Sequence, residues 1–515
     1  MSLRIEVTPL GAAVPTPSPR EGGLAPALLE ALVRAPGTEA ALARLAEPGT
    51  LVVTTGQQPG LFTGPLYTIH KALSAAALAR VLERRWERPV VPIFWSAGDD
   101  HDYAEASAAA WLAPDGALRH AELPPRDPAA PQLPMYREPL GTAVEEPLAR
   151  LLADLPPSEF RDGTAEWLRR HYRPEASIAG AYTGALAELL APLGIVVLDS
   201  THRAVKAAAA PHLLAALRRA RELDARLAAQ ADVLRAEGAG DAGIAFGDGA
   251  TLVMLEAAQG RDRLVAEGGR EEASRFVARR SGEAFTLAEL ERLAAEAPER
   301  LSANVLLRPV VESAILPTVA YVAGPGELRY LRLTPPIYEA LGVARQTPVP
   351  RWSGVVVEPR VARVLEKFGL GLDALLDPAS DVERELVRSQ LPEAALEALE
   401  ALRVALDRGY AVLGEAAVGI DPTLARPIES FRTQALQGTR DAERKLVQHL
   451  KRRQETELQQ LARARTAVRP DGKPQERVLT IAPWLARYGP GLLDELAQAV
   501  HGWYAGALEG APTPA

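Results

Sequence analysis

The sequence predicts an α/β protein: a doubly wound parallel sheet with helical insertions, followed by two long antiparallel helices. Short apolar, β-rich runs alternate with helical stretches, a pattern that needs a sheet covered on both faces. Those runs end in turns bearing glycine, aspartate or proline. Beyond residue 378 the apolar spacing changes to that of a helix seam.

The elements follow in order. Residues 1–10 lack the basic start and apolar run of a secretory leader, and residues 11–23 are a Pro- and Gly-rich extended arm. A helical Ala/Leu pattern covers 24–46, broken at Pro36-Gly37. Leu51-Val52-Val53-Thr54-Thr55 is the first strand, and a glycine-bearing loop spans 56–64. Pro65 suits the first turn of the helix that continues to about Trp86. Strands follow at 89–95 (PVVPIFW), 195–198 (IVVL) and 316–323 (LPTVAYVA), with a weaker fifth at 354–357. Residues 104–190 and 203–300 read as helical insertions. Leu396, Leu399, Leu402, Leu406 and Leu413 form the seam of one long helix, a break covers 420–427, and a second polar helix reaches Val468. The expected division is a core over 1–378, an antiparallel arm over 379–470, and a segment over 471–515 returning to the core and ending in a frayed tail.

Composition narrows the function. The chain has 515 residues, 47% hydrophobic and 24% charged, with a formal charge of −8, so it is globular and long enough for several domains. That acidity speaks against a nucleic-acid binder. With no cysteine there is no disulfide, no thiolate nucleophile and no Cys-ligated zinc. No apolar stretch nears ~18 residues, so the expectation is a cytoplasmic protein without a membrane segment. Between Arg432 and Arg477 lie 12 Lys/Arg and 6 Asp/Glu, a net of +6, which leaves −14 for the rest. The arm is either a solvated basic face or a phosphate-binding one.

In a doubly wound sheet the site lies beyond the carboxyl ends of the strands. Three turns there carry chemistry. The first, Thr54 to Lys71, is neither a Walker A loop nor GxGxxG, yet it is a glycine turn before a helix, suited to an anion. Tyr67, His70 and Lys71 share one face of that helix. The alternative is a tight turn with a structural histidine. The second, Ser96-Ala97-Gly98-Asp99-Asp100-His101-Asp102-Tyr103, crowds four ionisable groups that could hold an ammonium, act as a base or bind a metal, or else simply cap a turn. The third runs from Tyr321 through Gly324-Pro325-Gly326-Glu327 to Tyr330, with Arg308 upstream as a fork for a carboxylate. Asp199, His202 and Arg203 could line the crevice or serve as caps.

TTGQQPGLFTGPLYTIHK, FWSAGDDHDY, SANVLLRPVVESAILPTVAYVAGPGELRY and GKPQERVL…WLARYGP, in this order and spacing, resemble the bacillithiol synthase (BshC) family. The resemblance implies a Rossmann-like core, a C-terminal coiled coil, a homodimer, and a ligase joining L-cysteine to glucosaminyl-malate. It also implies an ADP site near the coiled coil, and the need to activate a carboxylate adds ATP, with Mg as a companion ion, to the expected cofactors. Thr63 to His70 is similar to the TGPLHIGH signature of class I aminoacyl-tRNA synthetases, with Tyr67 at the first histidine. No KMSKS-like segment follows, and the cysteine-ligated zinc of the cysteine-handling synthetases is absent or rebuilt from His and Asp. On that footing the expected roles are these. The amides of residues 60–64 hold the leaving phosphate, with charge from His70 and Lys71. Asp99, Asp100 or Asp102 holds the cysteine ammonium, and His101 deprotonates the attacking amine. Arg308 takes the malate carboxylates, and Glu327 and Tyr330 the sugar hydroxyls. Thr55, Gln57, Gln58, Thr63, Gly64, Tyr67, Tyr321, Gly324 and Gly326 complete the binding surface. The other readings are a nucleotide-binding scaffold without turnover, a synthetase-like enzyme with another amine acceptor, and a metal hydrolase built on Asp99–Asp102.

Overall fold

The computed structural model describes residues 3–8, 13–238, 244, 247, 249–268, 275–389, 391–453 and 455–508. The chain forms two compact units, one of Ile5–Val356 with the segment starting at Gln475, the other centred on Val357–Pro474. The expected frayed tail lies outside the described residues.

In the larger unit the strands are β1 (Leu51–Gln57), β2 (Val90–Ser96), β3 (Val196–Asp199), β4 (Ala250–Ala257), β5 (Gly260–Glu267), β6 (Arg275–Ala278), β7 (Ala284–Phe285), β8 (Leu301–Ala303), β9 (Thr318–Ala323) and β10 (Thr347–Pro350). Helices α1 (Tyr67–Trp86), α2 (Arg203–Arg218), α3 (Arg308–Ile315) and α4 (Pro325–Leu331) flank them. One sheet has the order β10-β9-β1-β2-β3, and every pair in it is parallel. Its strands are apolar throughout because both faces are covered: Val52, Val91, Ile93, Val196 and Leu198 pack with Leu28 and Leu45 on one side. Helix α1 packs on β1 and β2 and under the C-terminal helix Gly491–Leu508. Its alanines and Ile69, Leu73, Leu78 and Leu82 are buried. Each such large apolar side chain contributes about 1.5–3 kcal/mol.

The sequence reading needs four corrections here. Residues 24–46 break at Pro36-Gly37 as expected, into Pro26–Ala31 and the helix Glu39–Leu45, but the first piece is a short 3₁₀ turn and not an α-helix. The fifth strand of the parallel sheet is Thr347–Pro350, not 354–357; Gly354–Val357 pairs with Arg4–Val7 in a separate two-stranded sheet. Pro348 and Pro350 disguise β10, which is an edge strand where a missing N–H is tolerated. The insertion at 203–300 is not only helical. It contributes β4–β7, which with β8 make a second, antiparallel sheet of order β7-β6-β5-β4-β8. Likewise 104–190 holds a hairpin, Ala108–Leu112 with Leu118–Glu122, whose alanines read as helix by propensity.

The smaller unit is built on α5 (Glu393–Ile420), α6 (Ala425–Arg453) and α7 (Glu455–Val468). Asp421 turns the chain by accepting from the Thr423 N–H at 2.8 Å, and Arg432 of α6 reaches Asp407 of α5 at 2.7 Å. Leu402 and Leu413, expected in the seam, are 47% and 48% exposed, so the seam is carried by its half-buried members Leu396, Leu399 and Leu406. Arg432, Arg444 and Arg465 are paired with carboxylates, as on a solvated basic face.

Candidate active site

At the carboxyl ends of β1, β2 and β9 lies a cavity of about 530 Å³, walled on its far side by β4, β5 and β8. Gln57, Gln58, Tyr67, Lys71, Asp99, Asp100, His101, Arg308, Tyr321, Gly324, Gly326, Glu327 and Tyr330 all line it. The three turns singled out from the sequence therefore meet at one place.

Several of these side chains are already committed to each other. The Lys71 ammonium, 1% exposed, donates to Gly56 O, to Gln57 Oε1 at 3.2 Å and to Glu327 Oε2 at 2.6 Å. That uses all three of its donors. Burial pulls the Lys71 pKa down. Burial pushes Glu327 up, but Lys71 and the Gly324 N–H outweigh it and hold its carboxyl below the usual range. Glu327 Oε1 accepts from Tyr321 OH at 2.7 Å, and Arg308 donates to Tyr321 OH at 2.9 Å and to Glu312 at 2.9 Å. Glu312 in turn accepts from Thr54. This chain of contacts ties β1, α1, α3, β9 and α4 together. Arg308 thus spends one N–H of each terminal nitrogen inside the protein while still lining the cavity. Lys71 positions the wall instead of reaching for a phosphate.

Five expected site residues are off the cavity. Thr55 is fully buried and donates to Val322 O at 2.8 Å, stitching β1 to β9. The loop over 60–64 is buried by Leu61 and Phe62, and two of its amides are spent inside the protein: Thr63 N–H donates to Tyr172 OH at 2.6 Å and Gly64 N–H to Leu61 O at 3.0 Å. Gly64 has φ of 68° and a Cβ on Gly60 would meet Gly64 Cα at 2.9 Å, so these glycines serve a tight turn. The amides of Thr63 and Gly64 are therefore not available to an anion. Asp102 caps the short helix Tyr103–Ala106 by accepting from Glu105 N–H at 3.3 Å.

His70 also points away, into the protein. It is 1% exposed, its Nδ1 lies 2.8 Å from Glu476, and its ring packs edge-on against Trp352 at 4.8 Å. Arg351 completes the cluster by donating to Glu476 Oε2 at 2.8 Å. Burial lowers the His70 pKa against the pull of Glu476. Burial would raise Glu476, but His70 and Arg351 bring it down to about 2. His70 thus fastens α1 to the segment that begins at Gln475. Gln475 itself closes a ring with Val356, accepting from its N–H at 2.9 Å and donating to its carbonyl at 3.0 Å.

The acidic turn splits by role. Asp99 pairs with Lys206 of α2, which is 3% exposed. Asp100 Oδ1 accepts from the N–H groups of His101 and Asp102 at 2.6 and 3.0 Å. His101 Nδ1 faces Arg261 Nη1 at 3.1 Å. Asp199 and His202 cap the start of α2, and Arg203 reaches Glu299 at 3.5 Å. Among the described residues no group of three or more His, Asp or Glu is arranged to hold a metal ion, so neither a rebuilt zinc site nor the hydrolase reading gains a donor set.

Glu105, Lys206, Arg261, Arg263, Arg351 and Arg477 line the cavity without having been singled out from the sequence. Arg261 and Arg263 sit two apart on β5, whose burial alternates, so both face the cavity. The residues of 260–267 (GRDRLVAE) do not alternate apolar with polar, since Asp262 is buried and Val265 only half-buried, so no pattern in the sequence marked the two arginines. Glu105 accepts from Tyr67 OH at 3.0 Å and from Gln58. Burial, with the nearby Asp102 and Asp100 charges, raises its pKa against Tyr67 and Arg477. The cavity lining therefore carries both signs of charge, with Arg261 against His101 of the acidic turn and Arg477 close enough to act on Glu105.

The description "Bacillithiol biosynthesis BshC, N-terminal Rossmann-like domain" matches residues 24–352, and its partner, the BshC C-terminal coiled-coil domain, matches 354–503. The chain belongs to the BshC family. Relatives described as "Putative cysteine ligase BshC" include that of Symbiobacterium thermophilum, 32% identical over 475 residues, covering 89% of this chain and 84% of that one. The Salinibacter ruber protein is 32% identical over 476 residues, covering 90% and 83%, and the Bacillus licheniformis protein 25% over 465 residues, covering 88% and 83%. The chain is an enzyme of a ligase family, with the Rossmann-like core and coiled coil expected of it. Among the described residues no helix is long and apolar enough to cross a membrane.

Proposed function

We propose that the enzyme joins L-cysteine to the amine of glucosaminyl-malate, forming the amide of bacillithiol. The observation that carries this, beside family membership, is a single cavity lined both by the carboxylates Asp99, Asp100 and Glu105 and by the cations Arg261, Arg263 and Arg477. An amino acid and an acceptor that is both amine and dicarboxylate need both signs of charge in one place. Arg263 and Arg477 have no ion-pair partner among the described residues, which fits anionic ligands where the 60–64 loop does not.

A free carboxylate is a poor electrophile, and ATP supplies the leaving group that activates it. On this reading Asp99 and Asp100, both lining the cavity, hold the substrate ammonium. The acceptor amine must lose a proton as its nitrogen bonds to the carbonyl carbon and the carbon–oxygen bond to phosphate breaks. Glu105 takes that proton: it is at the cavity, and its raised pKa brings it nearer the working pH, where a base is most effective.

Mass spectrometry of the purified protein with L-cysteine, glucosaminyl-malate and ATP·Mg, each omitted in turn, tests the reading. The expected result is bacillithiol that requires all three. AMP as co-product identifies an adenylated cysteine, ADP a phosphorylated one. Folded protein that forms no product in the complete mixture would overturn the assignment in favour of another acceptor or a nucleotide-binding scaffold.

A further inference from the structure

We propose that Arg261 fixes His101 as the neutral tautomer protonated on Nε2, so that His101 offers a hydrogen-bond donor, and not a base, to an anionic oxygen of the substrate. The guanidinium carries only N–H donors. With Arg261 Nη1 at 3.1 Å, His101 Nδ1 must therefore present its lone pair, and the single ring proton of the neutral imidazole resides on Nε2. A catalytic histidine base has the reverse arrangement, with Nδ1–H given to a carboxylate and a bare Nε2. Here a cation stands where that carboxylate would be.

The alternative partner does not compete. Asp100 Oδ1 lies 3.9 Å from His101 Nδ1, beyond hydrogen-bond reach, and already accepts two backbone N–H groups. The charged groups around the ring are Arg261, Arg280, Asp100 and Asp102. Burial is the largest influence on the ring and Arg261 the next, and both disfavour the imidazolium.

Arg261 is itself held rigidly. Its Nε donates to Ser302 Oγ at 3.0 Å and its Nη2 to Ala303 O at 2.8 Å. Its backbone N–H donates to Gln132 O at 2.9 Å. Gly260 just before it, at φ 80°, approaches Gln132 so closely that a Cβ would meet Gln132 O at 2.3 Å. Arg261 is a positioning residue delivered by the second sheet to the first. His101 is 31% exposed on the cavity wall, and its Nε2 has no protein partner among the described residues. Together with Arg263 it makes a donor pair for a carboxylate or phosphate oxygen, and this last step rests on the ligase reading.

The test is ¹⁵N-histidine NMR of the full chain, with the His101 signals assigned by their loss in His101→Gln. At pH 7.5 the expected pattern is a neutral ring protonated on Nε2, with a titration midpoint below the ordinary histidine range. Arg261→Lys, which also only donates, is expected to keep the tautomer. Arg261→Met is expected to mix the tautomers and shift the midpoint upward. A wild-type ring protonated on Nδ1, or an imidazolium at pH 7.5, would falsify the proposal whether or not either variant folds. Addition of L-malate or of inorganic phosphate is then expected to shift Nε2 in one of the two titrations, and the responding probe tells carboxylate from phosphate. If neither moves it, the donor role is overturned. A protein with the Nε2-protonated ring that makes no bacillithiol supports the tautomer and sinks only the ligase reading.

Discussion

His70 and His101 follow neighbouring strands of one sheet, and they are opposite in every respect that matters to chemistry. His70 is buried, faces a carboxylate through Nδ1, and therefore donates from that nitrogen. His101 stands at the cavity, faces a guanidinium through Nδ1, and accepts there. The partner placed at Nδ1 decides which nitrogen is left for other work. In His70 that remaining nitrogen is sealed within the protein without a partner. In His101 it is available to a ligand. The lesson is that a histidine in a promising motif acquires its role from whatever the fold brings to its first nitrogen, which its own segment does not specify.

The contrast can be broken from the cavity side first. If His101 is a donor, the proton must go elsewhere, and Glu105→Gln should lower turnover by ~10²-fold or more. Activity of the wild type should fall as pH drops through a midpoint above the ordinary carboxylate range, because only ionised Glu105 accepts a proton. A Glu105→Gln rate within threefold of wild type, in steady-state assays, would remove Glu105 from the mechanism.

A finer test compares two replacements of His101. Glutamine still donates but cannot act as a base, so His101→Gln should retain a rate within about tenfold of wild type while His101→Ala loses ~10²-fold. Equal, large losses in both would argue for a base after all.

On the other side of the comparison, His70→Ala should cost roughly 2–4 kcal/mol of stability through a lost contact and a cavity. Turnover per folded molecule should stay within a few-fold. Denaturant unfolding beside active-site titration separates the two effects. Loss of turnover without loss of stability would restore His70 to the chemistry.

The pH dependence of stability follows from the same pair. His70 has a lowered folded pKa, so its contribution is complete above the unfolded value of about 6.5 and declines as pH falls below it. Glu476, at about 2 when folded, adds stability above roughly pH 4.3 that is lost on the way down to 2. Urea midpoints between pH 7.5 and 5 should therefore decline in the wild type and decline less in His70→Gln. The smallest effect is expected of Ser302→Ala, which removes one of the two hydrogen bonds that hold the Arg261 side chain in place and should change turnover by no more than about threefold.

Much of this molecule was legible in its residues. Four of the five parallel strands could be read because both faces are covered and the runs are continuously apolar. The meeting of three turns at one edge followed from parallel topology alone. What stayed hidden has identifiable physical causes. Prolines 348 and 350 masked an edge strand, and alanine-rich segments at 108–112 read as helix. Whether Thr63, Gly64 and His70 open onto a cavity depends on Tyr172 and Glu476, which lie about a hundred and four hundred residues away. Arg261 and Arg263 were invisible for the same reason: they belong to a sheet whose cavity-facing side is set by packing against residues far along the chain.

Gln475 and Val356 exchange two hydrogen bonds between side chain and backbone, and this has a consequence for how the chain is threaded. The polypeptide leaves the larger unit after Val356 and re-enters it at Gln475, so that exit and re-entry are joined side by side. Glu476 and Arg477, which complete the histidine cluster and the cavity wall, are the first residues past that junction. On a ribosome the pocket is therefore unfinished until residues 357–474 have been made and Arg477 follows them.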